Sequence, residues 1–165
     1  PDAFLQPSKD GERAIVEAVC AAAAGGKKIA DLYAGCGALS FPLAAVGTVQ
    51  AYEGNADMVQ AIRHAATDRP VAAETRDLAR QPLNVNELKR FDTIVFDPPR
   101  AGAKEQAGTI ALSAAQTVVA VSCNPATLAR DLRTLVQGGY RIESVQPVDQ
   151  FPWSAHVEAI AVLRR

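Results

Sequence analysis

The chain has 165 residues, a formal net charge of -1 and 48% apolar residues, which suits one soluble domain around one core. No global basic field draws it onto nucleic acid, so an RNA or DNA role must rest on local patches or on another domain. No apolar run is long enough to span a bilayer, and the start "PDAFLQPSKDGER" has neither a signal-peptide core nor an initiator methionine, so the chain reads as an excised domain.

In chain order, residues 8–24 form an amphipathic helix that Ser8 can cap, stopped by Gly25-Gly26. "KKIADLY" (27–33) is a short strand running into Gly35-Cys36-Gly37, and a helix covers 38–46. The strand "TVQAYE" (48–53) ends in an acid. Residues 55–67 are helical from an Asn55 cap, and "VAAET" (71–75) is a weaker strand. "FDTIVFD" (91–97) is a buried strand broken by Pro98-Pro99, and 104–115 is helical. "TVVAVS" (117–122) is a second buried strand, followed by a helix over 125–137. Two last strands, 140–148 and 156–165, are joined by "DQFPWSA" with no helix between them. Alternating strands and helices predict a mostly parallel sheet covered on both faces, with an antiparallel hairpin at one edge.

The cysteines Cys20, Cys36 and Cys123 form no CxxC pair, and His64 and His156 are scattered. This points away from a disulfide framework or a metal site and towards a reducing, cytoplasmic compartment. Cys20 and Cys36 are read as structural.

The turn "DLYAGCGALS" lets the backbone pass close to a ligand beside a helix start, but Ser40 stands where a dinucleotide fingerprint has its third glycine. Glu53 sits where a carboxylate can accept both hydroxyls of a ribose. Taken alone it is an edge carboxylate; with Asp31 and the glycine turn it belongs to a nucleoside-binding pattern. Asp77 is placed to reach an adenine amino group, or is a solvated loop acid. Asp97 is held at the carboxyl edge by two prolines. Arg100 follows them where an amino-group methyltransferase often has an aromatic residue, and offers a cation to phosphate or base. Cys123 ends a strand just before the Asn124 cap and Pro125, where a helix N-terminus is expected to lower a thiol pKa. For a lone cysteine in an apolar run the buried role is the default; the strand–cap–helix junction favours a nucleophile. Glu158, an acid at an apolar strand start, is a general-base candidate.

"FLQ", "DLYAGCG", "YEGN", "DPPRAGA", "SCNPATLARDL" and "FP…HVE" occur here in the order found in the S-adenosylmethionine-dependent RNA 5-methyluridine methyltransferases, which the chain resembles over nearly its whole length. The resemblance is to the C-terminal catalytic domain only. It implies a Rossmann-like class I methyltransferase fold over residues 1–165, with a seven-stranded sheet. It implies S-adenosylmethionine as cofactor, no metal, and methylation of carbon 5 of a uridine in tRNA or rRNA. By the same resemblance Cys123 is the nucleophile and Glu158 the base. Gln6, Tyr33, Gly35, Gly37, Glu53, Asp77 and Asp97 line the cofactor site, and Gln6, Asp97, Arg100 and Phe151 contact the uridine or its RNA. Ala38 replaces the family's usual Asn, and Trp153 its usual His. A monomer is expected, working with an N-terminal RNA-binding domain that this chain lacks.

The chemistry explains the residue types. Carbon 5 of uracil is a poor nucleophile until a thiolate adds to carbon 6; a base must then remove the carbon 5 proton so that the cysteine can leave. The base must also leave its stack, and Phe151, Trp153 and Arg100 are candidates to hold it, the two aromatics being equally suited to hairpin packing. The rival chemistry is RNA cytosine carbon-5 methylation, which needs a further cysteine in the proline motif. The rival class is a non-catalytic cofactor- or RNA-binding remnant.

Overall fold

Strands of four to eight residues, most of them apolar and the first five each followed by a helix, can bury both strand faces only by lying side by side under helices. The computed structural model, which describes residues 9–148 and 158–165, shows that arrangement. Its elements are α1 (Lys9–Ala22), β1 (Lys28–Leu32), α2 (Ser40–Leu43), β2 (Thr48–Glu53), α3 (Ala56–Ala65), β3 (Val71–Thr75) and α4 (Val85–Leu88). They continue with β4 (Thr93–Phe96), α5 (Lys104–Ala111), β5 (Thr117–Ser122), α6 (Pro125–Gln137), β6 (Arg141–Val148) and β7 (Glu158–Arg164). One seven-stranded sheet runs in the order β3-β2-β1-β4-β5-β7-β6. Strands β1 to β5 are parallel, while β7 is antiparallel to both β5 and β6. The expected fold class is therefore found, with β7 inserted between β5 and the edge strand β6.

Strand alternation divides the core in two. Ala30, Leu32, Ile94, Phe96, Val118 and Ala120 pack towards α4, α5 and α6. Their neighbours Ile29, Val95, Val119 and Val121 pack on the other face, against Ile15 and Val19 of α1 and Leu43 of α2. Val59 and Ile62 of α3 close the far end of that face. The strand order reverses at β1, which lies between β2 and β4. Doubly wound sheets open a ligand crevice at the carboxyl ends of the strands beside such a reversal.

Three local expectations are corrected. The helix expected over 38–46 shrinks to α2, because Pro42 has no N–H to donate and the chain leaves through tight turns at Val46 and Gly47. The helix expected over 104–115 ends at Ala111, where Leu112 and Ser113 close three-residue turns onto Thr109 and Ile110. Helix α4 was not anticipated, although its Asn84…Glu87 capping box is written in the sequence. The Asn55 cap is present, its side chain accepting from Asp57 N and Met58 N. Ser8, the expected cap of α1, lies outside the described residues.

Candidate active site

The glycine turn follows β1. Tyr33, Gly35 and Gly37 all take left-handed φ angles of 63°, 55° and 92°. At Gly37 a Cβ would meet Phe41 Cε2 at 2.8 Å, so this position admits glycine alone without distortion. Glu53 braces the turn from the end of β2. Its Oε2 accepts from Gly35 N at 2.9 Å and its Oε1 from Asn55 N at 2.8 Å. A carboxylate oxygen can accept more than one bond, so both retain capacity for a ligand hydroxyl. Tyr33 is half-buried, and burial followed by the Asp131, Glu105 and Asp77 carboxylates pushes its phenol up to about 12.

Ser40 has a definite task. Its Oγ donates to Asp31 Oδ2 at 2.5 Å. Asp31 is 1% exposed, and its Oδ1 has no partner among the described residues. Burial pushes Asp31 up to about 7, with the Glu53 carboxylate adding to the rise and Ser40 opposing it. The residue that breaks the dinucleotide fingerprint is thus the partner of a buried acid beneath the turn. Asp77 also reaches this end of the sheet, its Cα lying 3.7 Å from where a Gly54 Cβ would be. Its Oδ1 is engaged locally by Ala79 N and Arg80 N, with Arg80 Nε 3.5 Å from Oδ2.

Beyond β1, the carboxyl edge carries Asp97 after β4, Cys123 after β5 and Glu158 at the start of β7. Pairing of β5 with β7 ends at Ser122↔Ala159; one further step sets Cys123 across from Glu158. Glu158 is 2% exposed and its Oε2 has no partner among the described residues; burial raises its pKa. Asp97 is pushed up to about 7 by burial, then by the Glu158 and Asp31 carboxylates. These acids therefore feel one another across the four adjacent strands β1, β4, β5 and β7, and a cation among them would relieve their repulsion. The expectation for Cys123 is reversed. Burial, then the Glu158 and Asp97 carboxylates, raise the thiol above 9.0, outweighing the lowering effect of Arg100. The cap is present, Asn124 Oδ1 accepting from Ala126 N ahead of Pro125.

Cys20 is half-buried against the α1 side of the core, as a structural cysteine should be. Cys36 is exposed between the glycines and packs into no core. Arg100 lies on the surface at the turn after the prolines. Gln6, Phe151 and Trp153 lie outside the described residues. Asp131 was missed in the sequence reading. It falls on the apolar stripe Leu128, Asp131, Leu132, Leu135 of α6, and an acid at a core position is a legible signal.

Known proteins are similar to this chain in sequence and fold. An uncharacterized RNA methyltransferase of Mesorhizobium japonicum is 52% identical over 99% of this chain and 40% of its own length. The 23S rRNA (uracil(1939)-C(5))-methyltransferase of Chromohalobacter salexigens is 38% identical over 100% of this chain and 35% of its own. The tRNA (uracil-54, C5)-methyltransferase of Pyrococcus abyssi, solved with S-adenosyl-L-homocysteine, superposes with a TM-score of 0.86 at 32% identity, covering 99% of this chain and 40% of that one. The chain thus spans about 40% of the length of the relatives it matches. The tRNA (uracil-5-)-methyltransferase family profile matches residues 1–165, and the chain belongs to that family.

Proposed function

We propose that this chain is the methyl-transfer part of an S-adenosylmethionine-dependent enzyme that methylates carbon 5 of a uridine in tRNA or rRNA, in the cytoplasm. The observation that carries the reading is the juxtaposition of Cys123, Glu158 and Asp97 at one sheet edge, next to the glycine turn. The residues present fit the cofactor. The orphaned Oδ1 of Asp31 and the repulsion between Asp31 and Asp97 suit a ligand carrying positive charge. The glycine turn and Glu53 suit a nucleoside. Tyr33, Gly35, Gly37, Glu53 and Asp97 would hold it, with Asp77 at the rim and Gln6 contributing from outside the described residues. The Pyrococcus relative, solved with the demethylated product, supports the same assignment.

When bound, S-adenosylmethionine supplies an electrophilic methyl group. Cys123 Sγ, as thiolate, bonds to carbon 6 of the extruded uracil and pushes electron density onto carbon 5. Asp97 and Arg100 orient the ring and its phosphate. After methylation a carboxylate oxygen of Glu158 takes the carbon 5 proton, the carbon 6–sulfur bond breaks, and Cys123 leaves as thiolate. Glu158 must be ionised for this step. Asp97 faces it with like charge, so protonation of Asp97 favours the working form. RNA affinity rests on further sequence of the kind the longer relatives have.

RNA carrying 5-fluorouridine provides the test, because fluorine cannot be removed as a proton. With S-adenosylmethionine the protein should form a covalent RNA adduct that Cys123→Ala abolishes. Glu158→Gln should lower turnover on ordinary uridine by roughly 10²–10⁴-fold while still forming the adduct. Equal behaviour of wild type and Cys123→Ala refutes the mechanism.

A further inference from the structure

The motif "SCNPATLARDL" does more than carry a cysteine. The side chains that follow Cys123 on α6 reach across to the turn after the two prolines. Asn124 Nδ2 donates to Arg100 O at 3.1 Å, and the Thr127 hydroxyl shares its one proton between Asn124 O at 3.1 Å and Arg100 O at 3.3 Å, bridging the helix start to the turn. One Arg130 guanidinium nitrogen donates to Ala101 O at 3.0 Å. Ala103 N donates to Asp131 Oδ2 at 2.7 Å. Asp131 Oδ1 is paired with Arg130 at 2.9 and 2.8 Å, so the last two contacts form one unit. Gly102 N turns inward to Pro99 O at 2.8 Å. Each residue from Arg100 to Ala103 therefore has a backbone group tied down, three of the four by side chains of α6 and its Asn124 cap.

Gly102 makes the closure possible. Its φ is 78°, and a Cβ there would lie 2.4 Å from an Arg130 guanidinium nitrogen, 2.7 Å from Asp131 Oδ2 and 2.9 Å from Thr127 Cβ. Asp131 is 2% exposed on a leucine stripe, where stability alone favours another apolar side chain. A buried acid retained at such a site points to a demand for geometry.

We infer that Asn124, Thr127, Arg130 and Asp131 are positioning residues that lock the Arg100–Ala103 turn to the helix that follows Cys123, so that nucleophile, Asp97 and Arg100 meet the uridine as one rigid block. The inference rests on the uridine-methylation reading above. It follows from geometry: Cys123 and Asp97 sit on different strands, and addition at carbon 6 tolerates little misplacement of the ring held between them.

Thr127→Val and Thr127→Ser, made in the natural full-length protein, provide the test. Valine keeps the shape and removes the hydroxyl; serine keeps the hydroxyl. Thr127→Val should slow adduct formation on 5-fluorouridine RNA and kcat on uridine RNA roughly tenfold, leave the cofactor Kd within about twofold, and Thr127→Ser should restore the rate. Asp131→Leu leaves the Ala103 N–H and the Arg130 guanidinium without their acceptor, so it should lower the unfolding midpoint; assayed where it is still folded, it should lower kcat by roughly 10²-fold. Wild-type rates in Thr127→Val and Asp131→Leu overturn the inference. So does a loss that serine fails to rescue, or one that tracks a loss of cofactor binding. A wild-type protein that forms no adduct and transfers no methyl group overturns the uridine reading, and this inference with it.

Discussion

Replacing Asp31 by asparagine probes the acid beneath the glycine turn. Its carboxyl is 1% exposed, with one oxygen on Ser40 and the other unpartnered, and burial lifts it from 3.8 to about 7. The folded state therefore holds this proton more tightly than the unfolded chain does. The stability it contributes is fully present below about pH 4 and is lost as the pH rises through about 7. A rise of about three pKa units corresponds to ~4 kcal/mol. Between those limits the wild type should lose up to ~1.4 kcal/mol of unfolding free energy per pH unit through this group. The D31N variant lacks the titration. Its amide brings unpartnered donors at a cost of about 1–3 kcal/mol, but that penalty does not depend on pH. Asp97 titrates in the same window and is raised in part by the Asp31 carboxylate, so removing that charge relaxes Asp97 too and adds to the difference in the same direction. Urea unfolding followed by circular dichroism, at half-unit steps from about pH 5 to pH 8, should show the variant gaining several kcal/mol on the wild type as the pH rises. Parallel stability curves for the two proteins would refute the claim that Asp31 is held protonated by burial.

Two further predictions concern neighbouring groups. The raised thiol of Cys123 should make its alkylation by iodoacetamide climb about tenfold per pH unit between about pH 7 and pH 9. Glu158→Gln should speed it at fixed pH. Peptide mass spectrometry separates Cys123 from the exposed Cys36, and a plateau below about pH 8 contradicts the raised thiol. Gly37→Ala forces a side chain into a left-handed turn 2.8 Å from Phe41. It should lose about 1–3 kcal/mol of stability and weaken S-adenosylmethionine binding measured by calorimetry; wild-type stability with unchanged affinity shows that the turn tolerates a side chain.

Local signals alone determined much of this protein. Strands β2, β3 and β5 and helix α6 run over the residues that propensity, caps and apolar patterning indicate, because each is bounded by strong local punctuation. Asn124-Pro125 begins α6, and Gly138-Gly139 follows it. The glycine turn, the Asp97 corner, Cys123 and Glu158 were legible for the same reason: each is a residue type placed at a strand end. Only tertiary structure decided how they act on one another. Ser40 reads as a gap in a fingerprint until the chain folds it onto Asp31. Asp131 looks like one more helix residue until α6 lies against Ala103. A helix start predicts a lowered thiol, yet the thiol of Cys123 is raised, first because packing buries it and then because antiparallel β7 brings Glu158 near it and β4 brings Asp97. Caps and turns are interactions over a few residues and are written in the chain. The charge felt by a buried group comes from strands 26 and 35 positions away in sequence, and only packing brings them together.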